Sequence, residues 1–171
     1  LTSSDYEITF GKLLPGHIVK VEITGEQKTV GIGENTFIYQ VTDSYGNDVT
    51  ELYNVATIFG TLNIKPIEIT LRTQGGEKIY DGTPLTVTGD DTWSISVGQL
   101  YTGHTIYVEQ TGAQTSAGTS PNTLKYVMLD ENGADVTSCY LVTEDFGDLT
   151  VNPIKLTIKT EGDTRPYNGE E

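Results

Sequence analysis

Several short runs in this sequence have residue types and spacings that could do chemistry. Asp130-Glu131-Asn132-Gly133-Ala134-Asp135 gathers oxygen donors around a glycine, the ligand type that a hard cation such as calcium takes. The related run Asp43-Ser44-Tyr45-Gly46-Asn47-Asp48 keeps carboxylates only at Asp43 and Asp48. Neither run has the twelve-residue spacing closed by a bidentate Glu, so both are read as Asn-Gly-type hairpin turns. Asp90 and Asp91 stand beside Trp93, and a carboxylate pair near an aromatic ring could bind or cleave a sugar. Cleavage needs two carboxyls facing each other across a cleft, whereas adjacent Asp residues in a loop are ordinarily solvated. Exposed Trp93, Tyr101 and Tyr107 would offer stacking surfaces to a glycan.

The remaining candidates are weaker. His17 and His104 each follow a glycine ahead of a strand and are read as turn or cap residues, because no convergent ligands accompany them. Cys139 aligns with Leu52 in an internal repeat and reads as a small buried hydrophobe; one cysteine cannot form an internal disulfide. Lys12, Lys20 and Lys28 become Gln99, Tyr107 and Thr115 in the second copy, which argues against a Lys to Asn isopeptide crosslink. No Ser/His/Asp grouping, phosphate-binding loop or dinucleotide fingerprint is present. No catalytic, metal-ligating or cofactor-binding residue is therefore assigned, and no cofactor is expected.

The elements that would position these residues follow from composition. Among 171 residues are 27 Thr, 10 Tyr and 19 Gly, residue types that suit pleated surfaces and tight turns. No window of a dozen residues carries an apolar helical stripe free of Gly or Pro, so the chain reads as all-β. Lys and Arg number 10 against 24 Asp and Glu, a net charge of -14 that repels a phosphate backbone and excludes nucleic acid as a partner. The longest apolar run is Tyr126 to Leu129, far short of the ~20 residues of a membrane-spanning helix, so no membrane insertion is expected. No charged segment followed by an apolar stretch marks a secretion signal, which is expected to lie outside this segment.

At an offset of 87 residues the chain matches itself without a gap, with 31 identities between residues 1–84 and 88–171. Gly46-Asn47-Asp48-Val49-Thr50 returns as Gly133-Ala134-Asp135-Val136-Thr137, and Phe59-Gly60-Thr61-Leu62 as Phe146-Gly147-Asp148-Leu149. That period suits a compact module with its own core, repeated in tandem. Strands are expected at Ile67–Leu71, Pro84–Val87, Thr92–Val97, Thr105–Gln110, Thr123–Leu129, Tyr140–Val142 and Asp148–Val151, with Ile154, Leu156 and Ile158 repeating the first. Inward positions would be Ile106, Val108, Leu124, Tyr126 and Met128, matched by Val19, Val21, Phe37, Tyr39 and Val41. Seven short strands in under ninety residues fit an immunoglobulin-like β-sandwich.

Lys65-Pro66 joins the copies with no Gly/Ser tract, which predicts a stiff array. Starting modules at Ile67 divides the chain into residues 1–66, a first repeat lacking its first strand, residues 67–153, a second repeat, and residues 154–171, the first strand of a further one. The alternative phase is 1–84 and 85–171. The favoured phase predicts an exposed sheet edge on residues 1–66 and an unpaired strand after residue 153.

The ordered motifs Lys78-Ile79-Tyr80-Asp81-Gly82-Thr83, Gly103-His104, Gly133-Ala134-Asp135-Val136-Thr137 with Tyr140, and Gly147-Asp148-Leu149-Thr150-Val151 with Pro153 resemble the YDG or MBG modules. These are tandem immunoglobulin-like repeats of large bacterial surface proteins. The resemblance covers both copies; the last departs from it at Asn168 and at Glu170 and Glu171, where Asp and Thr-Pro are usual. It implies a non-catalytic structural spacer or stalk, extracellular, secreted or attached to the cell wall, whose partners are neighbouring repeats of the same chain. The other reading is an adhesin or carbohydrate-binding module whose loops contact a host protein or glycan.

Overall fold

The computed structural model describes residues 1–169; Glu170 and Glu171 lie outside the described residues. The fold is nearly all-β. The strands among the described residues are β1 (Ile18–Ile23), β2 (Gly31–Asn35), β3 (Phe37–Thr42), β4 (Gly60–Ile64), β5 (Ile67–Thr73), β6 (Gly76–Ile79), β7 (Trp93–Val97), β8 (Thr105–Gln110), β9 (Gly118–Pro121), β10 (Leu124–Leu129), β11 (Tyr140–Asp145) and β12 (Asp148–Asn152). Two single 3-10 turns, Thr50–Leu52 and Thr137–Cys139, are the helical pieces among the described residues. Among the described residues no helix is long and apolar enough to cross a membrane.

The strands form five small sheets, β1-β3, β2-β4, β8-β10, β11-β5-β7 and β6-β12-β9. β1 and β3 pair antiparallel from Ile18 opposite Thr42 to Ile23 opposite Phe37. β12 pairs antiparallel with β9 on one edge and parallel with β6 on the other, Leu149 opposite Gly76 and Asn152 opposite Ile79. β1 and β8 begin 87 residues apart, as do β2 and β9, β3 and β10, and the two 3-10 turns.

Contacts group the chain into two compact units. One holds Leu1–Thr70, Ile95–Tyr107 and Val127–Thr143, and its core includes Val41, Leu62, Ile69, Met128 and Tyr140. The other holds Leu71–Ser94, Val108–Tyr126 and the residues from Glu144 on, with Leu71, Leu124, Leu149 and Val151 buried. The alternation in β8 places Ile106 and Val108 inward, and in β10 Leu124 and Met128 are buried, because strand side chains point to opposite faces in turn.

Four expectations need correction. Pro84–Val87 is not a strand; Leu85 makes one isolated antiparallel bridge to Gln114. Residues 154–158 repeat the pattern of β5 yet form no strand, since no described segment pairs with them. Cys139 is half-buried rather than buried, because it closes a 3-10 turn at the start of β11. The Asn132-Gly133 turn is not a two-residue hairpin of the mirror-image kind, which needs positive φ at both central residues. Only Gly133 has positive φ (80°), and the loop returns through a single bridge from Leu129 to Asp135.

Candidate functional site

In each copy the acidic run following β3 or β10 is closed by its own first carboxylate. Asp43 Oδ1 accepts the amides of Tyr45 and Asn47, both at 2.9 Å, and Asp130 Oδ1 accepts those of Asn132 at 2.9 Å and Ala134 at 2.8 Å. The last carboxylate does the same one turn later, Asp48 for Thr50 N and Asp135 for Thr137 N. The threonines then accept from the preceding strand, Val41 N to Thr50 Oγ1 at 2.8 Å and Met128 N to Thr137 Oγ1 at 2.9 Å. Hydrogen bonds donated to an ionised carboxylate stabilise its charged form. The side-chain amide of Gln40 and then Thr50 hold the Asp48 carboxyl down at about 2, and the Asn47 amide lowers Asp43. The Ala134 amide lowers Asp130, and Thr137 lowers Asp135. Among the described residues no group of three or more His, Cys, Asp or Glu converges on a point where a metal ion could sit.

The histidines take part in a second repeated arrangement. His17 Nδ1 lies 2.8 Å from the Tyr53 hydroxyl and His104 Nδ1 lies 2.7 Å from that of Tyr140. Each hydroxyl also accepts a turn amide, Leu14 N at 3.1 Å and Tyr101 N at 3.0 Å. The His and Tyr rings meet edge-on at 5.9 Å and 5.8 Å. Each histidine is thereby tied into its turn. Lys78 is similarly occupied: its Nζ bonds Asp81 Oδ1 at 2.7 Å and the Thr83 carbonyl at 2.6 Å. The Lys78 ammonium holds the Asp81 carboxyl well below the usual carboxylate range.

The Asp91–Trp93 pair has a different setting. Together with the end of β5 and the β11–β12 connection it lines an open groove of about 540 Å³, bounded by Arg72, Gln74, Asp91, Trp93, Asp145 and Phe146. Arg72 Nε lies 3.3 Å from Asp145 Oδ2, with both side chains more than half exposed. Gln74 fixes the loop by donating its backbone N to Thr92 O at 2.8 Å and Nε2 to Asp91 O at 2.9 Å. One indole, one guanidinium and several carboxylates on an open wall can stack on a flat ring and bond to hydroxyls. Asp90 is not part of the lining, Trp93 is half-buried, and Tyr101 and Tyr107 are exposed elsewhere on the chain.

Arg72, Gln74, Asp145 and Phe146 are groove residues that sequence reasoning did not join to Asp91 and Trp93. Nothing local links Arg72 to residues more than seventy positions on. The one available signal is the exchange of Ile58 in the first copy for Asp145 in the second. Comparison with family models, curated proteins and solved structures finds no match to this chain.

Proposed function

We propose that this chain is a non-catalytic spacer: two tandem immunoglobulin-like β-sandwich repeats of a bacterial protein, secreted or attached to the cell wall, holding other domains apart. The observation that carries the reading is the duplicated wiring. The paired strands β1 and β3 and the paired strands β8 and β10, each followed by the same carboxylate-closed loop and the same His–Tyr tie, recur 87 residues apart. In both copies the first carboxylate of the acidic loop accepts backbone amides of its own turn. The acidic surface keeps such an array soluble and its neighbours apart through like charge.

A second reading, a carbohydrate-binding or adhesin module, is favoured by the groove at Trp93. Its charged wall belongs to one copy: Asp91, Trp93 and Asp145 stand where the other has Ser4, Tyr6 and Ile58. A glycan array followed by calorimetry tests both readings. The spacer reading expects no saturable ligand. A specific ligand whose binding is lost in Trp93→Ala overturns it in favour of the groove.

A further inference from the structure

The acidic loops after β3 and β10 share their carboxylate strap but not the order of residues at their tips. In the first copy the tip reads Tyr45-Gly46-Asn47-Asp48, with the carboxamide after the glycine. Asn47 Nδ2 donates to Asp43 Oδ2 at 2.9 Å, which holds that side chain, and the next residue is Asp48. In the second copy the tip reads Asn132-Gly133-Ala134-Asp135, so the carboxamide precedes the glycine. Residues 131–135 are all exposed. They lie between β10 and the 3-10 turn Thr137–Cys139, well inside the second repeat.

The order matters because an asparagine side chain can acylate the backbone nitrogen of the residue that follows it, closing a five-membered ring. A Cβ on that following residue crowds the approach, and glycine has none. At Asn132 the nucleophile is Gly133 N. Its bond to Asn132 Cγ forms as the Cγ–Nδ2 bond breaks, and the proton of the nitrogen departs with Nδ2 as ammonia. Solvent water then opens the imide at either carbonyl and gives aspartate or isoaspartate. Asn47 and Asn122 face the nitrogens of Asp48 and Thr123, which carry a Cβ, and Asn122 is fully buried besides.

The folded loop restrains this reaction without shielding it from water. Gly133 N donates to Asp130 O at 3.0 Å, while Asp130 Oδ1 accepts Asn132 N at 2.9 Å and Ala134 N at 2.8 Å. The Asn132 side chain also bonds the Asp130 carboxylate. Gly133 N must leave the Asp130 carbonyl before it can attack. In an exposed loop each bond released is replaced by one to solvent, so such opening is cheap and frequent.

We infer that Asn132 is a site of spontaneous, irreversible modification timed by the Asp130 strap, and that the equivalent loop of the first copy has none. The isoaspartyl product lengthens the backbone between residues 132 and 133. That displaces Ala134 N from Asp130 Oδ1 and slackens the segment that brings Thr137 Oγ1 to Met128 N. Both products add a carboxylate to a run that already holds Asp130, Glu131 and Asp135. Two loops wired alike therefore age differently, the second loosening while the first stays closed. None of this depends on the spacer reading.

Incubation of the full chain for weeks at mildly alkaline pH, folded and in urea, tests it. The chain carries Asn168→Gln, which removes the other Asn-Gly pair, Asn168-Gly169. Intact mass, peptide mapping and methylation by an isoaspartyl methyltransferase follow the conversion. The expected result is amide-to-acid conversion confined to Asn132 in the folded chain, with isoaspartate among the products and a rate about tenfold below that in urea. Asp130→Ala raises the folded rate to the urea rate, and Asn132→Gln abolishes the folded conversion. Amide exchange at Ala134 and Met128 quickens in the isoaspartyl fraction. Should Asp130→Ala fail to fold, the comparison of folded and urea-treated chain still decides. A folded chain in which Asn132 outlasts many half-lives of the urea reaction, or in which another asparagine converts first, overturns the site. Equal rates folded and in urea overturn its timing by the strap.

Discussion

Asn122 is fully buried, and its Nδ2 donates to two backbone carbonyls, Gln74 O and Val87 O, at 2.9 Å each. It thereby staples two segments of the second repeat that no regular strand pairing joins. Asn122→Ala removes both bonds. A part-buried carbonyl left without its donor costs ~1–2 kcal/mol, so the pair costs ~2–4 kcal/mol. The Oδ1 of Asn122 has no partner, and removing it returns on the order of 1 kcal/mol. The net loss expected is about 1–3 kcal/mol. With a urea slope of ~2 kcal/mol per molar, the middle of the range for small proteins, the midpoint falls by about 0.5–1.5 M. Trp93, the single tryptophan, belongs to the same compact unit as Asn122, so its fluorescence follows this transition. Asn35→Ala is the internal control: its Nδ2 makes a longer bond, 3.2 Å, to the exposed Ser3 carbonyl, and its loss is expected to cost ~1 kcal/mol or less. Equal losses for the two variants, or an unchanged midpoint for Asn122→Ala, would refute the stapling argument.

The carboxyls of Asp43, Asp48, Asp81, Asp130 and Asp135 all lie below the ordinary 3.8 in the folded chain. Their contribution to stability is complete above about pH 4 and disappears as pH falls through the folded values, to about 2 for Asp48. Thermal melts should therefore stay level from neutral pH to about 5 and drop between about 4 and 2; a drop centred near pH 6 would contradict this. Tyr140→Phe deprives Tyr101 N and His104 Nδ1 of their shared hydroxyl, and chemical denaturation should register a loss of ~1–2 kcal/mol. Met128→Ala empties a fully buried position and should cost ~2–5 kcal/mol by the same measurement. Arg72→Ala breaks an exposed ion pair and should change stability by under ~1 kcal/mol.

What could be read in advance depended on where the information lay. β8 was legible because Ile106 and Val108 alternate with Thr105, Tyr107 and Glu109, and one wet face is enough to specify such a strand. β6 and β9 were not. Gly76–Ile79 and Gly118–Pro121 carry little apolar alternation and exist because β12, with Leu149 and Val151 buried, offers them a backbone on either edge. Residues 154–160 show the converse: an alternating pattern as good as that of β5 makes no strand without a neighbour. The loop carboxylates were visible as ligand candidates, but their consumption by amides two and four residues on depends on the turn that Gly46 and Gly133 permit. The groove could not be read at all, since Arg72, Asp91 and Asp145 come together only through the sheet.

The parallel pairing of β6 with β12 has a mechanical consequence. Gly76 and Asn152 lie far apart in the chain, yet their strands run side by side in the same direction. Tension applied to the chain outside them drags the two strands past each other, loading every rung at once instead of peeling them open one at a time. A pull along this chain therefore meets the β6–β12 pair in shear.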